Sequence, residues 1–307
     1  MPRANVCASA TSDRRSMEDW ERILTALVLA TSTVVAFVFY SVIVKIFLTK
    51  KSFTRYVSFL IMSQIGVLDL LQLAGNFIME LFKMFNSTFH PTCDHIVSSL
   101  VSSAWMATMP FVLVLAFNRL FVICDIEIPF AYFDTICLLS SWLYGISIFL
   151  AFLTPLAGIS YDLSNFQLRF DFRASHTLLL VRVESSVAFI CLGVSFLIYI
   201  FIVLNLIRGR RRLIIASRNS LITDRESRVL IQAIVMFCFC IFMVCLYHFG
   251  SQFFPKFLVD PTVVSFLSVF YSGYLNPLMY ITMNRIREVK MFHLDTLSGN
   301  GDSSISN

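Results

Sequence analysis

Seven long apolar runs dominate this sequence, at residues 23–48, 56–85, 96–123, 135–157, 186–207, 229–249 and 263–283. A helix rises about 1.5 Å per residue, so ~20 mostly apolar residues cross the hydrocarbon core of a bilayer. Every run meets that length. Turn and charge signals separate them: Thr49-Lys50-Lys51, Asn86-Ser87-Thr88, 125–129, 158–162, 208–212 and 251–255. Strands of a membrane barrel would alternate apolar and polar residues with a period of two, and these runs do not. Composition agrees. Hydrophobic residues make up 57% of the chain and charged residues 14%, against about 45–50% and ~25% in a soluble domain. So few charges cannot cover a soluble globule of this size.

The expectation is an all-α membrane protein, a seven-transmembrane helix bundle over 23–283. Residues 1–22 form a short N-terminal segment with no apolar stretch that reads as a cleaved signal. The tail, 284–307, opens with Ile286, Val289, Met291 and Phe292 among basic residues, the pattern of a short amphipathic helix on the inner leaflet. From Ser298 it is Gly/Ser/Asn-rich and unstructured. With the N-terminus outside, the inner segments hold 13 Lys and Arg and the outer segments 8, counted from the sequence. Most of the excess lies between Arg208 and Arg228. The sequon at Asn86 then falls outside, as N-glycosylation requires. No interleaving of basic and aromatic residues suggests nucleic acid as a partner. Cys7 and Cys93 are the thiols placed outside, so a disulfide there joins those two. His90, Cys93 and His95 share one outer loop; zinc is one reading, an ordinary polar loop the other.

Ionisable groups inside a membrane are costly and point to function. Asp69 lies about halfway along its run, Arg119 closes the third at its inner end, and Glu80 and Lys83 lie near the outer end of the second, where they can snorkel. An ion-coupled transporter would show several midplane charges and paired Gly/Pro-broken helices. A membrane hydrolase would need a nucleophile beside a base, or a ligand-spaced His/Asp cluster. Neither pattern is present, which leaves reception of an outer ligand and an inner partner.

Local motifs sharpen this reading. The seventh run ends Tyr271-Ser-Gly-Tyr-Leu-Asn276-Pro277-Leu-Met-Tyr280, the third ends Asn118-Arg119-Leu120, the second carries Leu68-Asp69, and Trp142 lies early in the fourth. Together these resemble rhodopsin-like G-protein-coupled receptors. The Asn118-Arg119 pair at the third run, Asn276-Pro277-x-x-Tyr280 followed by Asn284-Arg285-x-Arg287, a short N-terminus and 32 Phe make the chain similar to the nematode serpentine chemoreceptors, class x (Srx) or a sister class, over about residues 20–295.

The resemblance implies a multi-pass plasma-membrane receptor, the sensory cilium included, without enzymatic activity. It implies a heterotrimeric G protein and an extracellular small molecule as partners. Asn118, Arg119, Tyr199, Asn276, Pro277 and Tyr280 correspond to the coupling switch, with Asp224 or Glu226 as a weak latch on Arg119. Asp69, Thr108, Ser272 and Asn276 correspond to positions that hold an allosteric sodium ion in many relatives; the alternative is a hydrogen-bond network around Asp69. No other cofactor is implied. The amine-binding Asp of the family falls on Val101 and the retinal Lys on Phe270, so an amine receptor and an opsin are disfavoured. A pocket of Val101, Trp105, Met106, Tyr247, His248, Phe266 and Phe270 suits a small, weakly polar odorant or pheromone, with plain packing as the alternative for each. The rival functions are a seven-span ligand-gated channel, which in insect odorant receptors runs N-terminus in, and a transporter.

Overall fold

A computed structural model describes residues 3–49, 57–124, 126, 132–155, 157–213, 220–255 and 257–279, without the side chains of 3–18, 209–229 and 251. The order of elements is α1 (Arg3–Thr49), α2 (Val57–Phe85), α3 (Pro91–Cys124), α4 (Phe133–Leu153), β1 (Gly158–Asp162), β2 (Gln167–Asp171), α5 (Thr177–Leu213), α6 (Ser220–Phe253) and α7 (Pro261–Val269). After Val269 the seventh helix continues through a π-helical turn, Phe270–Leu275, to residue 279. Among the described residues, six helices are long and apolar enough to cross a bilayer, and the seventh is the one that the π turn divides. The chain is a seven-transmembrane helix bundle. The tail and the expected amphipathic helix lie outside the described residues.

Helix α3 sits at the centre. On one side Ala104, Ala107, Phe111 and Leu115 pack with Tyr40 and Val44 of α1, Ile65 and Leu68 of α2 and Val269 of α7. On the other side Met109, Val112 and Ala116 pack with Leu192, Tyr199 and Ile202 of α5, Phe237 and Cys240 of α6, and Tyr271 of the π turn. Lipid is as apolar as these side chains, so helix association in a membrane depends on close packing and buried polar contacts. Gly273 shows the closeness required: a Cβ there would stand 2.6 Å from the Cβ of Ala36. The opposite faces turn outward, as Leu139, Leu143, Ile146 and Leu150 do along α4.

Helix ends follow local chemistry. Asp260 caps α7 by accepting from Thr262 N–H at 2.9 Å, with Pro261 at the first position. Asn86, at φ 48°, closes α2: its N–H reaches Lys83 O at 3.3 Å and that of Ser87 reaches Phe82 O at 3.1 Å. This pair of bonds is a Schellman cap, for which Asn tolerates the left-handed conformation. Pro277 has no N–H to return to the carbonyl one turn back, and the π turn lies directly before it.

The main departure from the sequence reading is the segment 158–184, expected as a loop with the fifth helix starting at Ser186. The structure builds an antiparallel hairpin, Ile159 opposite Phe170 and Tyr161 opposite Leu168. It then starts α5 at Thr177, whose hydroxyl accepts from Gly158 N–H at 3.0 Å. Glu184 is therefore inside a spanning helix. Lys83 and Glu80 also depart: they are 3% and 4% exposed, buried beneath the hairpin instead of reaching toward headgroups.

Candidate functional site

Polar side chains are buried at three levels of the bundle, and the seven helices fix their depths. In the middle, Asp69 of α2 accepts two hydrogen bonds on Oδ2, from Tyr40 Oη of α1 at 2.9 Å and from Asn276 Nδ2 of α7 at 2.6 Å. Gly66 makes room for Tyr40; a Cβ there would meet its hydroxyl at 3.2 Å and Val44 at 2.7 Å. One turn along α2, Gln72 joins the other two residues expected near Asp69. Its amide nitrogen faces Thr108 Oγ1 at 3.5 Å, and Ser272 Oγ donates to its Oε1 at 3.3 Å. Thr108 itself donates to Ala104 O at 3.0 Å. The four residues Asp69, Thr108, Ser272 and Asn276 thus belong to one buried layer. Tyr40 and Gln72, which the sequence reading did not include, tie it together. Asp69 Oδ1 and Asn276 Oδ1 are buried acceptors with no donor among the described residues.

At the end away from the hairpin, Ser58 Oγ donates to Asn118 Oδ1 at 2.6 Å. The neighbouring Arg119 is 8% exposed; its Nη2 lies 4.0 Å from Met62 Sδ, and its charge is felt at the phenol of Tyr199. Tyr199 is buried against Phe237, ring centroids 5.3 Å apart. Arg119 is therefore enclosed, where the sequence reading put it at an exposed edge. The latch residues Asp224 and Glu226 lie outside the described side chains, as Tyr280 lies outside the described residues.

Above the middle layer comes an aromatic one. Trp105 meets Tyr271 edge-on at 5.6 Å, and Phe239 stacks on Tyr271 at 5.6 Å and lies 5.8 Å from Phe270. Of the seven residues expected to line a pocket, this brings Trp105 and Phe270 together. Val101 is buried instead with Met79, Phe82 and Tyr161, and Met106 is buried in α3. Tyr247 and Phe266 are 51% and 53% exposed, and His248 packs beside Phe189 at 5.5 Å.

At the hairpin end the loop is held to α3 by polar contacts. Asp94 Oδ1 accepts from Tyr161 N–H at 2.8 Å and from Ser98 Oγ at 3.0 Å, and His95 Nδ1 lies 3.2 Å from Ile159 O. Cys93 is a free thiol; Cys7, the other half of the expected disulfide, lies outside the described side chains. His90 Nδ1 accepts from Thr92 N–H at 3.2 Å, so His90 and His95 serve different partners, and no metal-holding group exists among the described residues. Below the hairpin, Lys83 Nζ bonds Thr262 Oγ1 at 3.3 Å and stands 5.4 Å from the ring centre of Phe166. Phe166 holds φ at 49°, an unusual angle for an aromatic residue. Asp162 braces that turn by accepting from Ser164 N–H at 2.8 Å and Asn165 Nδ2 at 2.9 Å. These bonds, Asn165's first, hold its carboxyl below the usual carboxylate range.

Comparison with known proteins bears on this arrangement. The crystal structure of squid rhodopsin superposes with a TM-score of 0.70, covering 85% of this chain and 77% of that one at 14% identity. At that identity the likeness concerns the fold. No curated protein matches in sequence. Residues 2–297 match the family described as serpentine type 7TM GPCR chemoreceptor Srt, so the class is t where the sequence reading named class x or a sister. The chain belongs to the Srt family of serpentine seven-transmembrane G-protein-coupled chemoreceptors.

Proposed function

We propose that the chain is a plasma-membrane chemoreceptor, placed in a sensory cilium where the cell has one. The hairpin end faces outward and takes a small extracellular molecule; the far end engages a heterotrimeric G protein, and no step is catalytic. The observation that carries this reading is the buried middle layer. A carboxyl shared between Tyr40 of α1 and Asn276 of α7 lies between a hairpin-covered end and an enclosed arginine. Its partner helix is interrupted by a π turn, a feature common at functional hinges. Ligand-induced movement of α7 has to change the bonds to Asp69, and so shift the population of the two bundle states.

Sodium fits the same layer. Asp69 Oδ1 and Asn276 Oδ1 are buried oxygens without donors. Thr108 and Ser272 donate their hydroxyl protons elsewhere and so keep lone pairs to offer a hard cation. Bound there, the ion would neutralise Asp69 and favour the resting bundle. Asn118, Arg119 and Tyr199, with Pro277 and Tyr280, form the coupling end in this reading.

The test is nucleotide exchange on a G protein in membranes carrying the receptor, with a tag on the N-terminus. Wild-type receptor should show the tag on intact cells and promote exchange. Arg119→Ala should abolish exchange at unchanged surface density. An inaccessible tag on intact cells, or full exchange by Arg119→Ala, overturns the reading.

A further inference from the structure

Three carboxyl side chains are buried among the described residues: Asp69, Glu80 and Glu184. Two have company. Asp69 takes two hydrogen bonds, and Glu80, whose Oε2 also lacks a hydrogen-bond partner, has the charge of Lys83 a turn away on the same helix. Glu184 is 2% exposed, and its Oε2 has no hydrogen-bond partner. No cation stands within salt-bridge distance of it among the described residues. A buried carboxyl without a cation is held in its neutral form, so a cation brought to Glu184 from outside the described residues would be bound by ionising it.

The surroundings describe that partner. Glu184 lies seven residues into α5, about 10 Å below the helix's hairpin end. It lies one turn below Leu180, which packs with Tyr144 of α4 around Ile148, Phe152 and Ile159. Tyr144 Oη is itself buried with no hydrogen-bond partner among the described residues, and Glu184 is an electrostatic neighbour of that phenol and of Tyr247 of α6. Two orphan oxygens, one of them a carboxylate's, thus sit between α4 and α5 under an apolar roof of hairpin residues.

We propose that Glu184 and Tyr144 form the anchor for the ligand's polar head, and that the head is a protonated primary amine on a short apolar tail. An ammonium supplies the missing positive charge to Glu184 and a donor to the lone pairs of Tyr144 Oη. The tail lies against the apolar wall of Ile148 and Leu180. The carboxylate that is absent at Val101 of α3 is in this way provided from α5. This inference rests on the chemoreceptor reading and specifies the ligand class for it.

The test uses the full-length receptor purified in detergent, with hexylamine, hexanol and hexanoate as probes and thermal stability as the readout. Hexylamine should raise the melting temperature of the wild type in a saturable way, and hexanol and hexanoate should not match it. A hydrogen bond to a charged group contributes about 1.5–3 kcal/mol, so Glu184→Gln should weaken the apparent affinity about 10- to 100-fold. Tyr144→Phe should weaken it about 3- to 10-fold. Each variant is compared with its own unliganded melting point, because removing a buried charge can itself raise stability. Equal stabilisation by hexanol, undiminished stabilisation of Glu184→Gln, or no response to hexylamine up to millimolar concentrations overturns the proposal. G-protein exchange is scored separately: amine binding without exchange counts against the receptor reading alone, and exchange driven by other chemicals without amine binding counts against this proposal alone.

Discussion

Replacing Tyr40 by Phe isolates the bond that ties α1 to the middle layer. The ring remains to fill its place against Gly66 and Val44, so no cavity opens, and the hydroxyl that donates to Asp69 Oδ2 at 2.9 Å is lost. A hydrogen bond to a carboxyl in a fully buried setting contributes about 1–3 kcal/mol. At about 2 °C per kcal/mol for a chain of this size, the purified receptor should melt ~2–6 °C lower. The stronger test is a double-mutant cycle with Asp69→Asn. If the Tyr40 hydroxyl acts through the carboxyl, the two changes share one interaction, and the cycle should show a coupling of about 1–2 kcal/mol. Melting shifts that simply add, or a Tyr40→Phe receptor as stable as the wild type, would refute the reasoning. Asn276 keeps its 2.6 Å bond to the same oxygen, so the Asp69–Asn276 link should survive and surface expression should persist.

Three further outcomes follow from other contacts. Asp94→Ala removes the bond from Tyr161 N–H that fastens the hairpin to α3, leaving His95 against Ile159 O, and amide exchange over 158–171 should accelerate about tenfold while the helices stay protected. Gly273→Ala forces a methyl against Ala36, which should lower stability by about 1–3 kcal/mol; the second change Ala36→Gly should restore much of it. Because Asn165 and Ser164 hold the Asp162 carboxyl below its usual range, its ionised form supports the hairpin turn. That support is present above the ordinary carboxylate value, near pH ~4, and is lost as pH falls through the lowered one, so acid should loosen residues 162–169 in exchange measurements and Asp162→Asn should flatten that dependence.

The helical bundle was legible because hydropathy marks it: six of the seven apolar runs became helices long enough to cross a bilayer, and the described part of the seventh became a helix broken by a π turn. The middle layer was half legible. Asp69 stood out as a charge inside an apolar run, and Thr108, Ser272 and Asn276 came with the family resemblance. Tyr40 and Gln72 did not stand out, since a tyrosine or glutamine in an apolar helix carries no mark of which face it takes. The hairpin was hidden for a different reason. Ile159, Tyr161, Leu168 and Phe170 do alternate with Gly and polar residues, and Ile159 and Tyr161 of β1 are indeed buried, but a five-residue strand within a loop has too short a period-two signal to stand beside spans of twenty. The clamp at Asp94 and His95 depends on that hairpin and could not be seen without it.

Missing the hairpin also misplaced the charges. With the fifth helix begun at Ser186, Glu184 belonged to a loop, and the interior then held Asp69 as its clear midplane charge, the premise used against a transporter. Once α5 starts at Thr177, its buried side chains fall at Thr177, Glu184, Ala188, Cys191, Leu192, Ser195, Ile198, Tyr199 and Ile202, a recurrence every three or four residues from Glu184 on that draws one inward stripe along a helix. Glu184 lies on that stripe with no freedom to turn toward solvent. Scarcity of charge is therefore not what separates this chain from a transporter; family membership does that. The distribution of charge matters more than the count. The charge of Lys83 lies a turn from Glu80 and two donors reach Asp69 Oδ2, so each of those carboxyls has a partner group within the fold, although Glu80 Oε2 and Asp69 Oδ1 stay unbonded. Glu184 leaves a buried carboxyl that no cation meets among the described residues, under the hairpin, at the end where we propose that the ligand enters.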